Sequence, residues 1–161
     1  MAPVQSLPLS LPRDYGYILL LTTLTCVNSF WHGLRVTSFR KRASLPYPTP
    51  YADSAHLSSA SSPEKKQALH LFNCAQRAHG NFLENQTGVL VTMLVAGVRY
   101  PVAASVLGAV WNVGRVVYAV GYTRKDTQGG KARLQGSFFW LAQLGLMGLA
   151  GWTGAGMLGW V

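Results

Sequence analysis

Phe72-Asn73-Cys74-Ala75-Gln76-Arg77-Ala78-His79-Gly80-Asn81-Phe82-Leu83-Glu84-Asn85 decides how the chain is read, because this polar run passes directly into Val89–Val98, which is apolar enough to lie in lipid. Charges do not belong there by default. An ionisable side chain near a bilayer centre costs roughly 2.5–3.5 kcal/mol on insertion scales, so an intramembrane Arg or Glu asks for a functional explanation. Arg77, Asn81 and Glu84 stand at i, i+4 and i+7, which puts them on one helical face.

Composition agrees with a membrane setting. Of 161 residues, 49% are hydrophobic and 12% charged, against roughly 25% charged in soluble domains. Fourteen Lys and Arg face five Asp and Glu, for a net charge of +9. In a soluble protein that balance points to a nucleic-acid surface. Here the basic residues sit in short loops between apolar segments, which is how membrane orientation is encoded. Two cysteines, Cys26 and Cys74, form neither a disulfide framework nor a metal-binding pair.

In chain order, residues 1–14 are proline-rich and aperiodic and read as a disordered arm, with no basic leader before the first apolar run. The first span is predicted over about 15–39, closed by Arg40-Lys41-Arg42; Asn28 and His32, four apart on it, read as an interhelical hydrogen-bonding stripe. Residues 43–63, rich in proline and serine, form a loop. Helix resumes after Pro63 and is too long for one span, so its first part projects and the second span covers about 69–98. Pro101 suits the first turn of a third span, about 101–123, on which Arg115, Tyr118 and Tyr122 share a face. A basic, glycine-rich loop leads to a fourth span, about 137–160, carrying the small-residue ridge Gly151, Ala155 and Gly159. The 35–70 and 124–133 segments hold six and four Lys or Arg, and the opposite side only Arg13 and Arg99. Both basic loops are therefore expected in the cytosol.

Depth counting pairs the second and third spans. Glu84 lies fifteen residues before Arg99, about 22 Å along the helix, and Arg115 fourteen after Pro101, about 21 Å. Glu84 and Arg115 are expected to neutralise each other, with Arg77 and Tyr122 nearer the rim. Packing glue needs one such pair. Arg77, His79, Asn81, Glu84, Arg115, Tyr118 and Tyr122 together exceed it and imply an anionic, hydrogen-bonding guest.

Four spans, a basic cluster after the first, F-N-C-x-Q-R-A-H-x-N-x-x-E opening the second and G-R-V-x-Y-A-x-G-Y closing the third are shared with a known family. The chain resembles the membrane-associated eicosanoid and glutathione metabolism (MAPEG) family, most of all its microsomal glutathione transferases of the third type. The resemblance implies an all-α, integral membrane four-helix bundle protomer in a homotrimer, with glutathione held between protomers near the cytosolic side. Arg77, Asn81 and Glu84 would hold its charged groups, His79 would add a polar contact, and Arg115, Tyr118 and Tyr122 would line the site. Arg40 or Lys41 would reach in from a neighbouring subunit. A cation lowers the thiol pKa, since the thiolate is the nucleophile. In related enzymes an arginine just before the fourth helix does this, and Arg133 is the positional match; it also reads as a positive-inside loop charge.

After Glu84 the family usually carries an aromatic residue and then proline, where this chain has Asn85, Gln86, Thr87 and Gly88. The expected activity is that of a glutathione transferase that also reduces lipid hydroperoxides, with glutathione as co-substrate and no metal. The alternative is a non-catalytic lipid-binding scaffold of the same fold. The implied compartment is the endoplasmic reticulum membrane, with the outer mitochondrial membrane as its alternative. Partners would be glutathione, a lipophilic electrophile or lipid hydroperoxide, membrane lipid and further copies of the chain, with no nucleic acid.

Overall fold

The structure, a computed structural model, describes residues 11–125 and 128–161. Most of the expected N-terminal arm lies outside the described residues, as do residues 126 and 127 of the basic loop. The elements are α1 (Tyr15–Ala43), α2 (Ser54–Ser58), α3 (Pro63–Gly97), α4 (Pro101–Tyr122), a 3₁₀ segment (Gln128–Gly136) and α5 (Phe139–Met157). No strand occurs among the described residues.

Local chemistry sets the ends of these helices. Arg40, Lys41 and Arg42 occupy the last turn of α1, where cations meet the negative end of the helix dipole. The Ser62 hydroxyl accepts the Lys65 N–H at 3.2 Å, with Pro63 opening α3; proline has no N–H to leave unpaired there. Only three residues, 98–100, separate the end of α3 from Pro101, which opens α4, so the two run as a tight antiparallel pair. The loop between α1 and α3 contains a short helix that the sequence reading did not anticipate, capped by Asp53, whose carboxylate accepts the His56 N–H at 2.9 Å. That hydrogen bond and the His56 ring hold the Asp53 carboxyl below its ordinary pKa.

α3 and α4 are the central pair: each touches the other, and α1 and α5 each pack on both. Two apolar clusters result. One joins Ile18 of α1, Phe82 and Met93 of α3, Trp111 of α4, and Phe139 and Leu146 of α5. The second joins Val36 and Phe39 to Leu69 and Phe72 and reaches Leu45 and Ala52 of the loop, so the first half of the 35-residue α3 is held against the basic end of α1.

Four spans were expected; among the described residues one helix, α4, combines the length and apolar character to cross a membrane, at a mean hydropathy of 1.4. Polar side chains lower the average of the others while being turned inward: Thr25, Asn28 and His32 of α1 and Gln143 and Thr153 of α5 are buried. The outward faces are apolar, with Leu20, Leu24, Val27 and Phe30 exposed on α1 and Leu141, Leu144 and Met147 on α5. Apolar surface on this scale marks a membrane or partner contact. The glycines of the 151/155/159 ridge make no close approach among the described residues: a Cβ at Gly151 or Gly159 would meet open space. α5 instead packs through Phe139, Ala142, Gln143 and Leu146, on another face.

Glycine permits one contact that matters for the site. The 128–136 segment lies against α4 so closely that a Cβ at Gly121 would strike the Ala132 carbonyl, and one at Gly136 the Tyr118 backbone. Neither obstacle can rotate away. Gly121→Val is therefore expected to lift the segment off α4 and lower stability by about 1–3 kcal/mol, read as a fall in the midpoint of thermal unfolding; an unchanged midpoint would contradict the packing.

Candidate functional site

α3 presents Arg77, Asn81 and Glu84 on one face, and the three are joined. Arg77 Nη1 donates to Glu84 Oε1 at 2.8 Å, and Asn81 Nδ2 donates to Glu84 Oε2 at 3.3 Å. From α4, Arg115 Nη1 donates to Asn81 Oδ1 at 2.8 Å, and its Nη2 reaches the Ala78 carbonyl at 3.5 Å. The expected direct Glu84–Arg115 pair is not formed: Glu84 pairs with Arg77 on its own helix, and Asn81 stands between it and Arg115. The reason is geometric. Seven residues are close to two full turns, so Arg77 and Glu84 project from the same outer strip, where their side chains are 51% and 52% exposed.

Arg115 is the opposite case, with no exposed surface at all. Its guanidinium is enclosed by the rings of Phe82, Trp111, Tyr118 and Phe139, the last at 4.3 Å from ring centre to Cζ. Such rings attract a cation through their faces. Its Nε nonetheless has no hydrogen-bond acceptor among the described residues. The charge is held in place and incompletely answered.

From Arg115 the site continues along α4. Tyr118 lies 5.2 Å from the Arg115 guanidinium and meets Tyr122 edge-on at 5.6 Å, and Tyr122 in turn lies 4.8 Å from the Arg133 guanidinium. Arg133 is brought there by the 128–136 segment, in which Gly129 and Gly130 adopt left-handed backbone at φ 61° and 65°, a conformation glycine takes without steric cost. Their carbonyls accept from Arg133 Nη1 at 3.1 and 3.0 Å. Tyr122 thus stands between Arg133 and, through Tyr118, Arg115.

Two expected site residues lie elsewhere in the chain. His79 is two residues from Arg77, a rotation of about 200°, and faces the groove between α3 and α1 with Cys26, Ser29, Gly33 and Gln86. Its ring stacks on His32 at 6.2 Å. Arg40 is 6% exposed and committed to its own loop: Nη1 donates to the Pro46 and Thr49 carbonyls at 3.3 and 2.7 Å, and the guanidinium lies between Tyr47 and Phe72. Lys41 is exposed. A cluster of three basic residues on a helix end spans most of a turn, so one of them had to turn inward.

The sequence reading missed a polar extension into α5. Gln143 Nε2 donates to Asn85 Oδ1 at 3.0 Å, and Trp111 Nε1 donates to Gln143 Oε1 at 3.1 Å. Asn85 Nδ2 also donates to the Asn81 carbonyl at 2.8 Å. The signal was present, since Gln143 is a solitary amide in an apolar run and Asn85 is one turn beyond Asn81. Asn85 thus has a role where the aromatic–proline pattern is absent.

A helical scaffold with an outward apolar surface, and a polar series running from the exposed Arg77 and Glu84 to the buried Arg115, fits a protein of the membrane. The sequence pattern of the MAPEG family matches residues 18–154, and the chain belongs to that family. Its members are membrane proteins and include glutathione transferases and related enzymes.

Proposed function

We propose that the protein is a glutathione-dependent membrane enzyme of the third microsomal glutathione transferase type, a homotrimer of four-span protomers in the endoplasmic reticulum membrane with its basic loops in the cytosol. The observation that carries this reading is the series Arg77–Glu84–Asn81–Arg115, continued through Tyr118 and Tyr122 to Arg133. Glutathione carries two carboxylates, an ammonium and a thiol. Arg77 and Arg115 suit the carboxylates, Glu84 the ammonium and Asn81 a peptide group, and Arg133 provides a separate cation for sulfur. In a trimer the two polar faces of α3 acquire a common purpose: His79 and Lys41 of one chain come to the Arg77 face of the next, each site taking opposite sides of two copies of one helix.

The thiolate sulfur attacks an electrophilic carbon, forming a C–S bond as the leaving group departs with its electron pair. With a hydroperoxide it attacks the distal oxygen. The O–O bond breaks, the alkoxide takes a proton to leave as alcohol, and the sulfenic acid formed on glutathione condenses with a second glutathione to give disulfide and water. Arg133 holds the sulfur as thiolate, because a neighbouring cation favours the charged form.

Purified protein titrated with glutathione should develop thiolate absorbance at about 240 nm and turn over both a lipid hydroperoxide and a chloro-nitro-aromatic. Binding with neither reaction would favour the non-catalytic lipid-binding scaffold. No binding at all would overturn the glutathione reading.

A further inference from the structure

Two side chains that can only donate, Trp111 and Arg115, stand four residues apart on one face of α4. Each orients an amide of α3. Arg115 Nη1 donates to Asn81 Oδ1, which leaves the Asn81 amide nitrogen to donate to Glu84. Trp111 Nε1 donates to Gln143 Oε1 at 3.1 Å, so Gln143 must turn its nitrogen to Asn85, and it does so at 3.0 Å. Asn85 Oδ1 is thereby fixed as an acceptor and Nδ2 as a donor, with one N–H on the Asn81 carbonyl at 2.8 Å. A free amide offers oxygen and nitrogen in turn. This one cannot, because reversing it would set N–H against N–H at Gln143 or, one step on, at the indole. Trp111 has no exposed surface and Gln143 is 5% exposed, so a donor stranded there would be costly.

The relay ends at the edge of the site. Asn85 lies one turn, about 6 Å, beyond Asn81 along α3, on the side that runs into Val89–Val98. It is half-buried, unlike Trp111 and Gln143. Its second N–H has no acceptor among the described residues. Asn85 stands where the family usually carries an aromatic residue, and the single amide of α5, Gln143, is matched to it.

We propose that Asn85 is a catalytic residue for hydroperoxide reduction, its second amide N–H donating to the proximal oxygen of the hydroperoxide, and that Gln143 and Trp111 are positioning residues that keep it a donor. This assignment rests on the glutathione reading above and supplies the group that meets the second substrate. The glutathione sulfur attacks the distal oxygen: an S–O bond forms, the O–O bond breaks, and its electron pair stays on the proximal oxygen as alkoxide. The alkoxide takes from water the proton that the thiol lost on ionising, and a second glutathione converts the sulfenic acid to disulfide and water. The amide itself transfers no proton. It stabilises charge that appears only as the O–O bond breaks, which is where a preorganised donor lowers a barrier. A chloro-nitro-aromatic releases chloride and develops no alkoxide, so the two reactions depend on Asn85 unequally.

The test is the ratio of kcat/KM for a lipid hydroperoxide to kcat/KM for a chloro-nitro-aromatic in the purified protein, a ratio that cancels losses of folded protein or of thiolate. Asn85→Leu should lower it by about 10²-fold, as removal of one preorganised donor does. Gln143→Met, and Trp111→Phe, which keeps a ring but removes the N–H, should each lower it by about tenfold. The double variant of Asn85→Leu with Gln143→Met should be no worse than Asn85→Leu alone, because Gln143 acts through Asn85. With a peroxyacid, whose leaving oxygen is a stable carboxylate, the loss should shrink in every variant. An unchanged ratio in Asn85→Leu while thiolate absorbance is present, additive losses in the double variant, or an equal loss with the peroxyacid would each overturn the assignment. Absence of thiolate absorbance in the wild-type protein would instead overturn the glutathione reading, and this assignment with it. If Trp111→Phe fails to fold, Asn85→Leu at its half-buried position and the peroxyacid comparison still decide it.

Discussion

Arg133→Ala is expected to reduce glutathione-dependent turnover by about 10²–10³-fold, the range seen when one preorganised group stabilising a catalytic anion is removed. Thiolate absorbance should disappear with it. Glutathione affinity should fall by much less, because Arg77, Asn81, Glu84 and Arg115 are untouched, and the oligomer should remain intact. The Arg133 guanidinium lies over Tyr122 and is held by the Gly129 and Gly130 carbonyls, whereas Lys131 is exposed. Arg133→Lys should recover little, since an ammonium group cannot hold both carbonyls and present a planar donor edge to sulfur. Unchanged turnover in Arg133→Ala would return the residue to the role of a loop charge and send the search to Arg124 and Lys131.

The second large effect separates function from stability at Arg115. This side chain is fully buried among four aromatic rings, with its nearest charge-bearing partner reached only through Asn81. Buried charges are expensive, and an apolar side chain of similar length is often neutral or stabilising in their place. Arg115→Met should therefore hold or raise the thermal midpoint while weakening glutathione binding by at least about tenfold, equivalent to about 1.4 kcal/mol, as the ligand loses a cation and Asn81 loses its orienting donor. Were Arg115 mere helix glue, the same substitution would lower the midpoint and any effect on ligand would follow from unfolding. Thermal unfolding and glutathione titration on one preparation distinguish the two.

Much of the helical layout was legible because its signals are local. Pro63 and Pro101 open helices where proline costs nothing, the Arg40–Arg42 cluster marks the end of α1, and Val98–Tyr100 leave room only for a tight turn. The common face of Arg77, Asn81 and Glu84 followed from helical periodicity. Their partners did not. Periodicity placed Glu84 and Arg115 at equal depth without saying what stands between them, and the intervening group is Asn81. Depth is an axial coordinate, while pairing also needs the angle at which each helix faces its neighbour. That angle comes from the packing of Phe82, Trp111 and Phe139, residues far apart in sequence.

His79 and Arg40 make the same point from the other side. Both belong to the sequence motifs that carry the family resemblance, yet one turns toward α1 and the other into its own loop. By itself the sequence determined that the chain is helical, that charge is placed where lipid is expected, and that one face of α3 gathers three polar residues, since each of these is set by spacing along a single helix. The tertiary structure alone decided that Arg115 donates to Asn81 and is enclosed by rings, and that Arg133 reaches Tyr122. Those are contacts between elements, and they depend on how closely backbones approach, as Gly121 and Gly136 allow the 128–136 segment to approach α4.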